Sequence, residues 1–517
     1  MVSSPPVPGP VVRVGPGPLS RADVLAVARR GARVELTAEA EERIAAGRAV
    51  VDELAGLPAP HYGVSTGIGA LATTRVPPED RTRMQQSILR SHAAGAGTEV
   101  EPEVVRAMMA LRLSTLATGH TGVRVSTARA YADLLNAGLV PCVPEFGSVG
   151  CSGDLAPLAH CGLVLTGEGT VRDADGVRGP AGPALAAAGL EPVVPVEKEG
   201  LALVNGTDGM SGMLMLACAD LDLLLRNADV TAAMSVEALL GTDAAFAEDL
   251  QALRPHPGQA ASAAVLRSLL AGSAIMESHR DPSCTRVQDA YCLRCVPAVH
   301  GAARDTLDHA TVVVEREAAS AVDNPVVTPD GQVRSSGNFH GAPLAYVLDF
   351  LAIAVADVAA MAERRTDRLL DPARNQGLPA FLAAQPGVDS GVMIAHYTQA
   401  SVVGELRRLA VPASVESIPT SAMQEDHVSF GWSSGRKLRR ALDGLTTVLG
   451  VELLAASRAL DLRAPLTPAP ATAAVRDRLR AHVAGPGPDR FLAPDIDAAA
   501  ALVRGGRLAA TAPTSTT

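Results

Sequence analysis

A short glycine-rich stretch, GSVGCSGDLAPLAH at 147–160, places Cys151 and Ser152 among glycines. A serine nucleophile of the G-x-S-x-G type is excluded, because the residue two positions after Ser152 is Asp154 and not glycine. A second interpretation is a loop that Asp154 caps at the start of a helix. That interpretation explains Gly153 and Asp154 without any chemistry.

The three residues Cys151, Ser152 and Gly153 also suit a reaction of the backbone with itself. If the nitrogen of Gly153 is pressed onto the carbonyl carbon of Cys151, the backbone can cyclise, and loss of water leaves Ser152 as an exocyclic methylidene. Glycine has no Cβ to block this approach, and the flanking glycines tolerate a strained backbone. Spacing alone leaves both the capped loop and the self-made electrophile open.

The stretch resembles the signature of the family of histidine, phenylalanine and tyrosine ammonia-lyases and aminomutases. In this family an Ala-Ser-Gly tripeptide forms the electrophile 4-methylidene-imidazole-5-one (MIO). The resemblance implies MIO made from Cys151, Ser152 and Gly153, with no external cofactor. It covers residues 20–465 and includes YGVSTGIG at 62–69, RSHAAG at 90–95, KEGLALVNGT at 198–207, LRPHPGQ at 253–259, VQDAYCLRCVP at 287–297, GNFHGAP at 337–343 and SIPTSAMQEDHVSFGW at 417–432.

The resemblance also implies roles for residues outside the tripeptide. Tyr62 matches the loop tyrosine that serves as the base for the β-proton, and a phenol can act in this way. Arg294 matches the residue that holds the substrate carboxylate, which a planar guanidinium suits. The other matched positions are Asn205 and Tyr291 as catalytic residues, and Gln288 and Phe339 as pocket residues. The alternative for each is a structural residue satisfied by backbone groups.

Three positions bear on the substrate. His92 matches a polar selector of histidine- and tyrosine-acting members, and Met393 matches the histidine-type pocket. A carboxylate at Glu425 can accept an imidazole N–H, whereas a phenyl ring would leave it unpaired. The alternative for Glu425 is a carboxylate at a helix N-terminus. Together these residues favour L-histidine, converted to trans-urocanate and ammonia in histidine breakdown.

Some residues depart from the family pattern. Cysteine stands at 151 where alanine is common, and it is small enough for the ring to form. Cys292 replaces serine, and Ala298 and His396 stand where glutamine is usual. These last three residues leave open a tyrosine-type ammonia-lyase or aminomutase. A non-catalytic helical assembly protein is a further alternative, although the intact tripeptide and matched polar residues argue against it.

Composition narrows the classes of partner. A net charge of −10 over 517 residues offers no basic surface for nucleic acid. No continuous run reaches eighteen apolar residues and no targeting signal begins the chain, so we expect a cytoplasmic protein without a membrane partner. The CxxC pair Cys292 and Cys295 lacks a second pair of ligands, so we predict no metal.

These residues must be positioned mainly by helices. Leu438, Leu442, Leu445 and Leu449 recur at i, i+4, i+7 and i+11, which indicates one buried helix face. Turn dipeptides between 170 and 200 predict a small β-hairpin. Further helices are predicted over 207–240, 298–321, 340–370 and 391–411.

The predicted organisation has four parts along the chain. They are a disordered lead-in over 1–20, an MIO-bearing domain over 21–200, a helical-bundle domain over 201–500 and a flexible tail over 501–517. The resemblance implies a mainly α fold with a long helical bundle and a smaller N-terminal domain, of fumarase/aspartase-like architecture. It also implies a homotetramer in which each active site combines residues from three subunits.

Overall fold

The computed structural model describes residues 10–280, 287–506 and 508. Over these residues the fold is mainly α, as predicted, and its strands form only small sheets. The strands are β1 (Val11–Val14), β2 (Arg33–Leu36), β3 (Ala96–Glu99), β4 (Val140–Pro141), β5 (Pro144–Phe146), β6 (Thr170–Arg172), β7 (Arg178–Pro180), β8 (Val326–Val327) and β9 (Val333–Arg334).

The helices carry the bulk of the described chain. They are α1 (Arg21–Arg30), α2 (Ala38–Ala55), α3 (Arg81–His92), α4 (Pro102–Ala117), α5 (Val125–Asn136), α6 (Leu155–Leu165), α7 (Ala181–Ala187), α8 (Glu199–Ala202), α9 (Asp208–Ala238), α10 (Glu248–Ala252), α11 (Pro257–Leu270), α12 (Ala274–Glu277), α13 (Tyr291–Arg294), α14 (Val296–Ala318), α15 (Ala342–Leu370), α16 (Met393–Leu409), α17 (Gly431–Asp461), α18 (Pro470–Arg480) and α19 (Ala493–Arg504).

The long helices agree with the apolar periodicity of the sequence. The four predicted segments appear as α9, α14, α15 and α16. The leucine stripe on α17 is buried, and its least buried member, Leu442, is 4% exposed. The predicted hairpin is also confirmed, since β6 and β7 pair as antiparallel strands.

Both predicted chain ends need correction. The lead-in was expected to be disordered over 1–20, but Val11–Val14 forms β1 and pairs in parallel with β2. Val12 and Val14 alternate inward and are buried, so burial of two valines orders this segment. At the other end, the flexible tail was predicted to begin at 501, but residues 501–504 belong to α19. The rest of that tail, apart from 505, 506 and 508, and the first nine residues lie outside the described part.

The chain forms two compact units. The first contains the described residues up to Leu216 together with Ala310–Leu348 and Pro412–Arg436. The second contains the described residues of Ala217–His309, Asp349–Val411 and the chain from Lys437 onward. The boundary expected near 200 therefore differs from this division, because later segments return to the first unit.

Helix α15 bears on the expectation that the protein has no membrane partner. It is long and apolar enough to cross a membrane, with a mean hydropathy of 2.0 over its best window. The expectation rested on unbroken apolar runs, and Asp349 and Asp357 interrupt this one. The window is 61% buried inside the protein, and a core helix passes the same test of length and composition.

Candidate active site

The tripeptide lies in the loop between β5 and α6, and its backbone is held by a second segment. Gly206 donates its N–H to the carbonyl of Ser152 at 3.2 Å, and its own carbonyl accepts from the N–H of Asp154 at 2.7 Å. Ser152 and Gly153 both have positive φ, 47° and 79°. A Cβ on Gly153 would lie 2.0 Å from the carbonyl oxygen of Gly206. Only glycine fits at 153, as the self-made electrophile requires.

The side chain of Asp154 does not cap helix α6. It is the residue before Leu155, and its backbone carbonyl accepts from the N–H of Leu158, but its side chain makes no capping bond to that helix. Its fully buried carboxyl instead accepts from the N–H of Met210 at 2.9 Å and from the hydroxyl of Ser148 at 3.0 Å. Burial raises the pKa of Asp154 to about 7, although these hydrogen bonds oppose the rise. The capped-loop interpretation is therefore wrong for Asp154, which joins the tripeptide loop to the start of α9.

A cavity of about 240 Å³ opens beside the tripeptide. Cys151 and Gly153 line it together with His92, the last residue of α3. Burial lowers the pKa of His92, and the carbonyl of Ile88 and the charge of Glu425 oppose this. The structure thus brings a predicted substrate selector next to the predicted electrophile.

Glu425 connects the remaining predicted groups of this site. Its charge acts on Tyr62, His92 and Cys151, so the three side chains share one electrostatic environment. Burial raises the pKa of the Cys151 thiol to about 12, and the neighbouring Glu425 carboxylate adds to the rise. Glu425 follows a short turn and does not begin a helix, so the helix N-terminal alternative is wrong.

Tyr62 lies in a loop, as predicted, and its hydroxyl has a defined partner. The N–H of Gly69 donates to the phenolic oxygen at 3.0 Å. Burial raises the pKa of Tyr62, the bond from Gly69 lowers it, and Glu425 raises it further. A donor aimed at the oxygen is the arrangement that stabilises a phenolate when the proton leaves.

Asn205 adjoins Gly206, the residue that holds the tripeptide. Its side-chain amide donates to the carbonyl of Asn324 at 2.7 Å, and it is 2% exposed. Its backbone carbonyl accepts from the guanidinium of Arg112. Phe339 is half-buried in the loop between β9 and α15.

The other predicted residues lie in the second compact unit. Gln288 is exposed, and Tyr291 begins α13 with 71% of its surface exposed. The guanidinium of Arg294 lies 4.7 Å from the centre of the Tyr291 ring, and its Nε donates to the carbonyl of Asp289 at 2.9 Å. Among the described residues, the hydrogen bond recorded for this guanidinium uses Nε and not the terminal nitrogens. Met393 begins α16.

His396 lies one turn after Met393 and has a partner that the sequence did not reveal. Its Nε2 lies 2.6 Å from Oε1 of Glu363 on α15. Burial would raise the pKa of Glu363, but hydrogen bonds from His396 and Arg364 outweigh it and lower the pKa to about 2. Glu363 stands in an alanine-rich helix without a motif, so no sequence signal indicated it. Cys292 accepts at its carbonyl from Arg365 at 3.5 Å.

Two residues close to the tripeptide were also missed as functional candidates. Ser148, which donates to Asp154, and Thr420, which donates to Glu425 at 2.9 Å, both stand inside the quoted family motifs. Among the described residues, no group of three or more His, Cys, Asp or Glu side chains is placed to hold a metal ion.

Comparison with known proteins gives the class. The family model for aromatic amino acid lyases matches residues 19–481. The chain therefore belongs to the aromatic amino acid lyase family.

The chain is also similar to individual members of this family. The histidine ammonia-lyase of Streptomyces coelicolor is 62% identical over 506 residues, which cover 98% of this chain and 99% of that protein. The crystal structure of histidine ammonia-lyase from Trypanosoma cruzi matches with a TM-score of 0.89 at 38% identity, covering 98% of this chain and 96% of the other. Tyrosine aminomutase from Streptomyces globisporus matches with a TM-score of 0.92 at 36% identity, covering 97% and 98%.

Proposed function

We propose that this chain is a histidine ammonia-lyase that eliminates ammonia from L-histidine and releases trans-urocanate. The Cα–N bond breaks, one β-proton is removed, and a Cα=Cβ double bond forms. Identity of 62% across nearly the whole of a histidine ammonia-lyase supports this activity. The observation that carries the choice of substrate is the carboxylate of Glu425 beside Tyr62, His92 and Cys151.

The residues present fit the MIO group. Cyclisation needs a position 153 without Cβ, and the Gly206 carbonyl fills the space that a Cβ would take. When formed from Cys151, Ser152 and Gly153, MIO supplies an electrophilic carbon that makes the amine a better leaving group. Asp154 and Gly206 hold the backbone on the C-terminal side of the ring position.

Tyr62 is the proposed base for the β-proton. Its pKa is raised, so the phenol is protonated in the free enzyme at neutral pH. The N–H of Gly69 at 3.0 Å favours the phenolate, so proton loss is easier than burial alone would allow. The rate of elimination should therefore rise with pH on the alkaline side.

The residues of the second unit are proposed to bind the rest of the substrate. Arg294 pairs with the α-carboxylate, and the ring of Tyr291 under its guanidinium restricts its orientation. Asn205 is the proposed second contact to the carboxylate and to MIO. Gln288 and Phe339 are proposed to orient the substrate and shield the ring.

Substrate choice is proposed to rest on Glu425, His92 and Met393. A carboxylate accepts a hydrogen bond from an imidazole N–H and is attracted to a partly cationic ring. A phenol or phenyl ring would leave part of the carboxylate without a hydrogen-bond partner. The thiol of Cys151 stays protonated near neutral pH because its pKa is about 12. It therefore adds no negative charge beside Glu425.

The proposed assembly is a cytoplasmic homotetramer in which copies share active sites. Tyr346, Phe350 and Ile353 stand at i, i+4 and i+7 of α15 and are 50%, 48% and 47% exposed. Such an apolar stripe on a single chain supports burial against another copy.

The test is the product formed from each amino acid. L-Histidine, L-tyrosine and L-phenylalanine are incubated separately with the enzyme, and the ultraviolet absorbance of each unsaturated acid is followed. Urocanate from histidine alone is expected. Glu425→Gln should lower kcat/KM for histidine by about 10- to 100-fold, because the bond from the ring loses its charged acceptor. Ser152→Ala is the control that should form neither MIO nor product.

The tyrosine-type aminomutase is the second candidate, because the structural match to tyrosine aminomutase is as close as that to histidine ammonia-lyase. Coumarate or a β-amino acid from L-tyrosine, with no urocanate from histidine, would favour this candidate. Absence of product from all three amino acids would favour a non-catalytic assembly protein.

A further inference from the structure

A six-residue loop closed by its own backbone carries Glu425. The N–H of Thr420 donates to the carbonyl of Glu425 at 2.9 Å, and the N–H of Glu425 donates back to the carbonyl of Thr420 at 3.3 Å. These reciprocal bonds form an isolated antiparallel bridge. The bridge places the two side chains next to each other at the base of the loop.

The side chains of the bridge are also bonded. The hydroxyl of Thr420 donates to Oε2 of Glu425 at 2.9 Å. A glutamate side chain turns about three bonds, and a fixed donor on one oxygen restricts the plane of the carboxylate. The Cys151 thiol also lies within hydrogen-bonding reach of the Glu425 carboxylate and the Thr420 hydroxyl. Each carboxylate oxygen has two lone pairs, so the group can still accept from a ligand.

The residues between the two ends adopt a conformation that is costly on its own. Ser421, Ala422 and Met423 have φ of 51°, 53° and 69°, which is the left-handed region. Non-glycine residues are strained in that region, and such strain persists only where surrounding contacts enforce it. The bonds between Thr420 and Glu425 are the contacts that close this turn.

The turn also adjoins the loop of the proposed base. A Cβ on Gly69 would lie 3.0 Å from Oγ of Ser421, so the two loops pack closely. Gly69 is the residue whose N–H donates to the Tyr62 hydroxyl. A shift of the turn would therefore disturb both the carboxylate and the base.

We propose that Thr420 is a positioning residue that fixes the Glu425 carboxylate for the ring of the substrate. This inference rests on the proposed function, because it assigns Glu425 to the imidazole. In this proposal Thr420 acts through Glu425, and its hydroxyl also lies within hydrogen-bonding reach of the Cys151 thiol.

The experiment compares Thr420→Val with Thr420→Ser. Valine keeps the branched shape and the backbone bridge but has no hydroxyl, whereas serine keeps the donor. Thr420→Val should lower kcat/KM for L-histidine by about tenfold or more, mainly through KM, because a hydrogen bond to a charged group is lost. Thr420→Ser should stay within about threefold of wild type. The MIO absorbance of each variant is recorded first, and Thr420→Ala replaces the valine variant if that variant lacks MIO.

A double-mutant cycle with Glu425→Gln separates positioning from a general structural effect. If Thr420 acts through the charged carboxylate, Thr420→Val should change kcat/KM by less than about twofold in the Glu425→Gln background. Equal losses in both backgrounds, or wild-type kinetics for Thr420→Val with MIO intact, would overturn the proposal while the enzyme still makes urocanate. A wild-type enzyme without urocanate would overturn the proposed function itself, and this inference with it.

Discussion

The thiol of Cys151 lies where the family commonly has a methyl group, beside the carboxylate of Glu425. Cysteine reacts through its thiolate, and a negative neighbour in a buried setting disfavours that form. The pKa of about 12 follows from burial first and from Glu425 second. A thiol that stays protonated can lie next to an electrophile without adding to it.

We expect the Cys151 thiol of the folded enzyme to resist alkylation at pH 8. Raising the pKa from its ordinary value of 9.0 to about 12 lowers the thiolate fraction by about 1,000-fold at that pH. Iodoacetamide labelling followed by peptide mass spectrometry measures the rate, with urea-unfolded protein as the reference and Cys151→Ala to identify the peptide. The rate should rise with pH up to 12. Equal labelling of folded and unfolded enzyme at pH 8 would contradict the shift.

Helices with a regular apolar stripe could be predicted from the sequence, because the stripe reports which face is buried. The leucines of α17 show this, since all four face the core. Asp154 could not be assigned in the same way. The side chain of an aspartate before a helix usually caps that helix. Here the carboxyl group instead accepts a hydrogen bond from the N–H of Met210, fifty-six positions away. Local propensity yields to tertiary contact at this position.

The loop that carries Glu425 shows a second limit of sequence reasoning. Family resemblance identified Glu425, but serine, alanine and methionine give no local reason for the left-handed conformation of residues 421–423. That conformation depends on the closing bonds at Thr420 and on packing against Gly69. The candidate site residues were thus accessible from motifs, whereas the groups that orient them were not.

Glu452 on α17 joins three helices of the second unit. Its carboxylate accepts from Thr231 and Ser235 of α9 and pairs with Arg365 of α15, and the carboxylate and the guanidinium are fully buried. Removing one member of such a pair leaves a buried charge without compensation.

Glu452→Ala should therefore lower the free energy of unfolding by about 3–5 kcal/mol. Chemical denaturation followed by circular dichroism measures the change. The matched control is Glu405→Ala on α16, where the carboxylate pairs with Arg408 at an exposed position and should contribute at most about 1 kcal/mol. A Glu452→Ala effect as small as the control would mean that the network adds nothing beyond packing.

The division of the candidate residues between two compact units bears on how the enzyme works. Tyr62, the tripeptide and Glu425 belong to one unit, and Tyr291 and Arg294 belong to the other. Arg294 and Tyr291 contact each other, and the Nε of Arg294 donates to the carbonyl of Asp289. The proposed homotetramer, in which copies share active sites, would give both sets of residues a role.

The exposed stripe of α15 is the surface on which we expect that assembly to depend. Phe350 and Ile353 line a groove of about 530 Å³ together with Val299 and Ala302 of α14. Light scattering of the wild-type enzyme should give a molar mass four times the chain mass of 53.0 kDa. A charge placed in the stripe would have to lose its water when the interface forms. The double variant Phe350→Glu with Ile353→Glu should therefore give a molar mass below that of the tetramer.

The double variant should also lose elimination activity while keeping the MIO absorbance, because the tripeptide and its supporting residues lie within one unit. Val177→Glu on the loop between β6 and β7 is the control. Val177 is 63% exposed at a site without an apolar stripe, so its variant should keep both mass and activity. Full activity from a monomeric double variant would show that a single chain completes the site, and sharing of residues between copies would then have no part in catalysis.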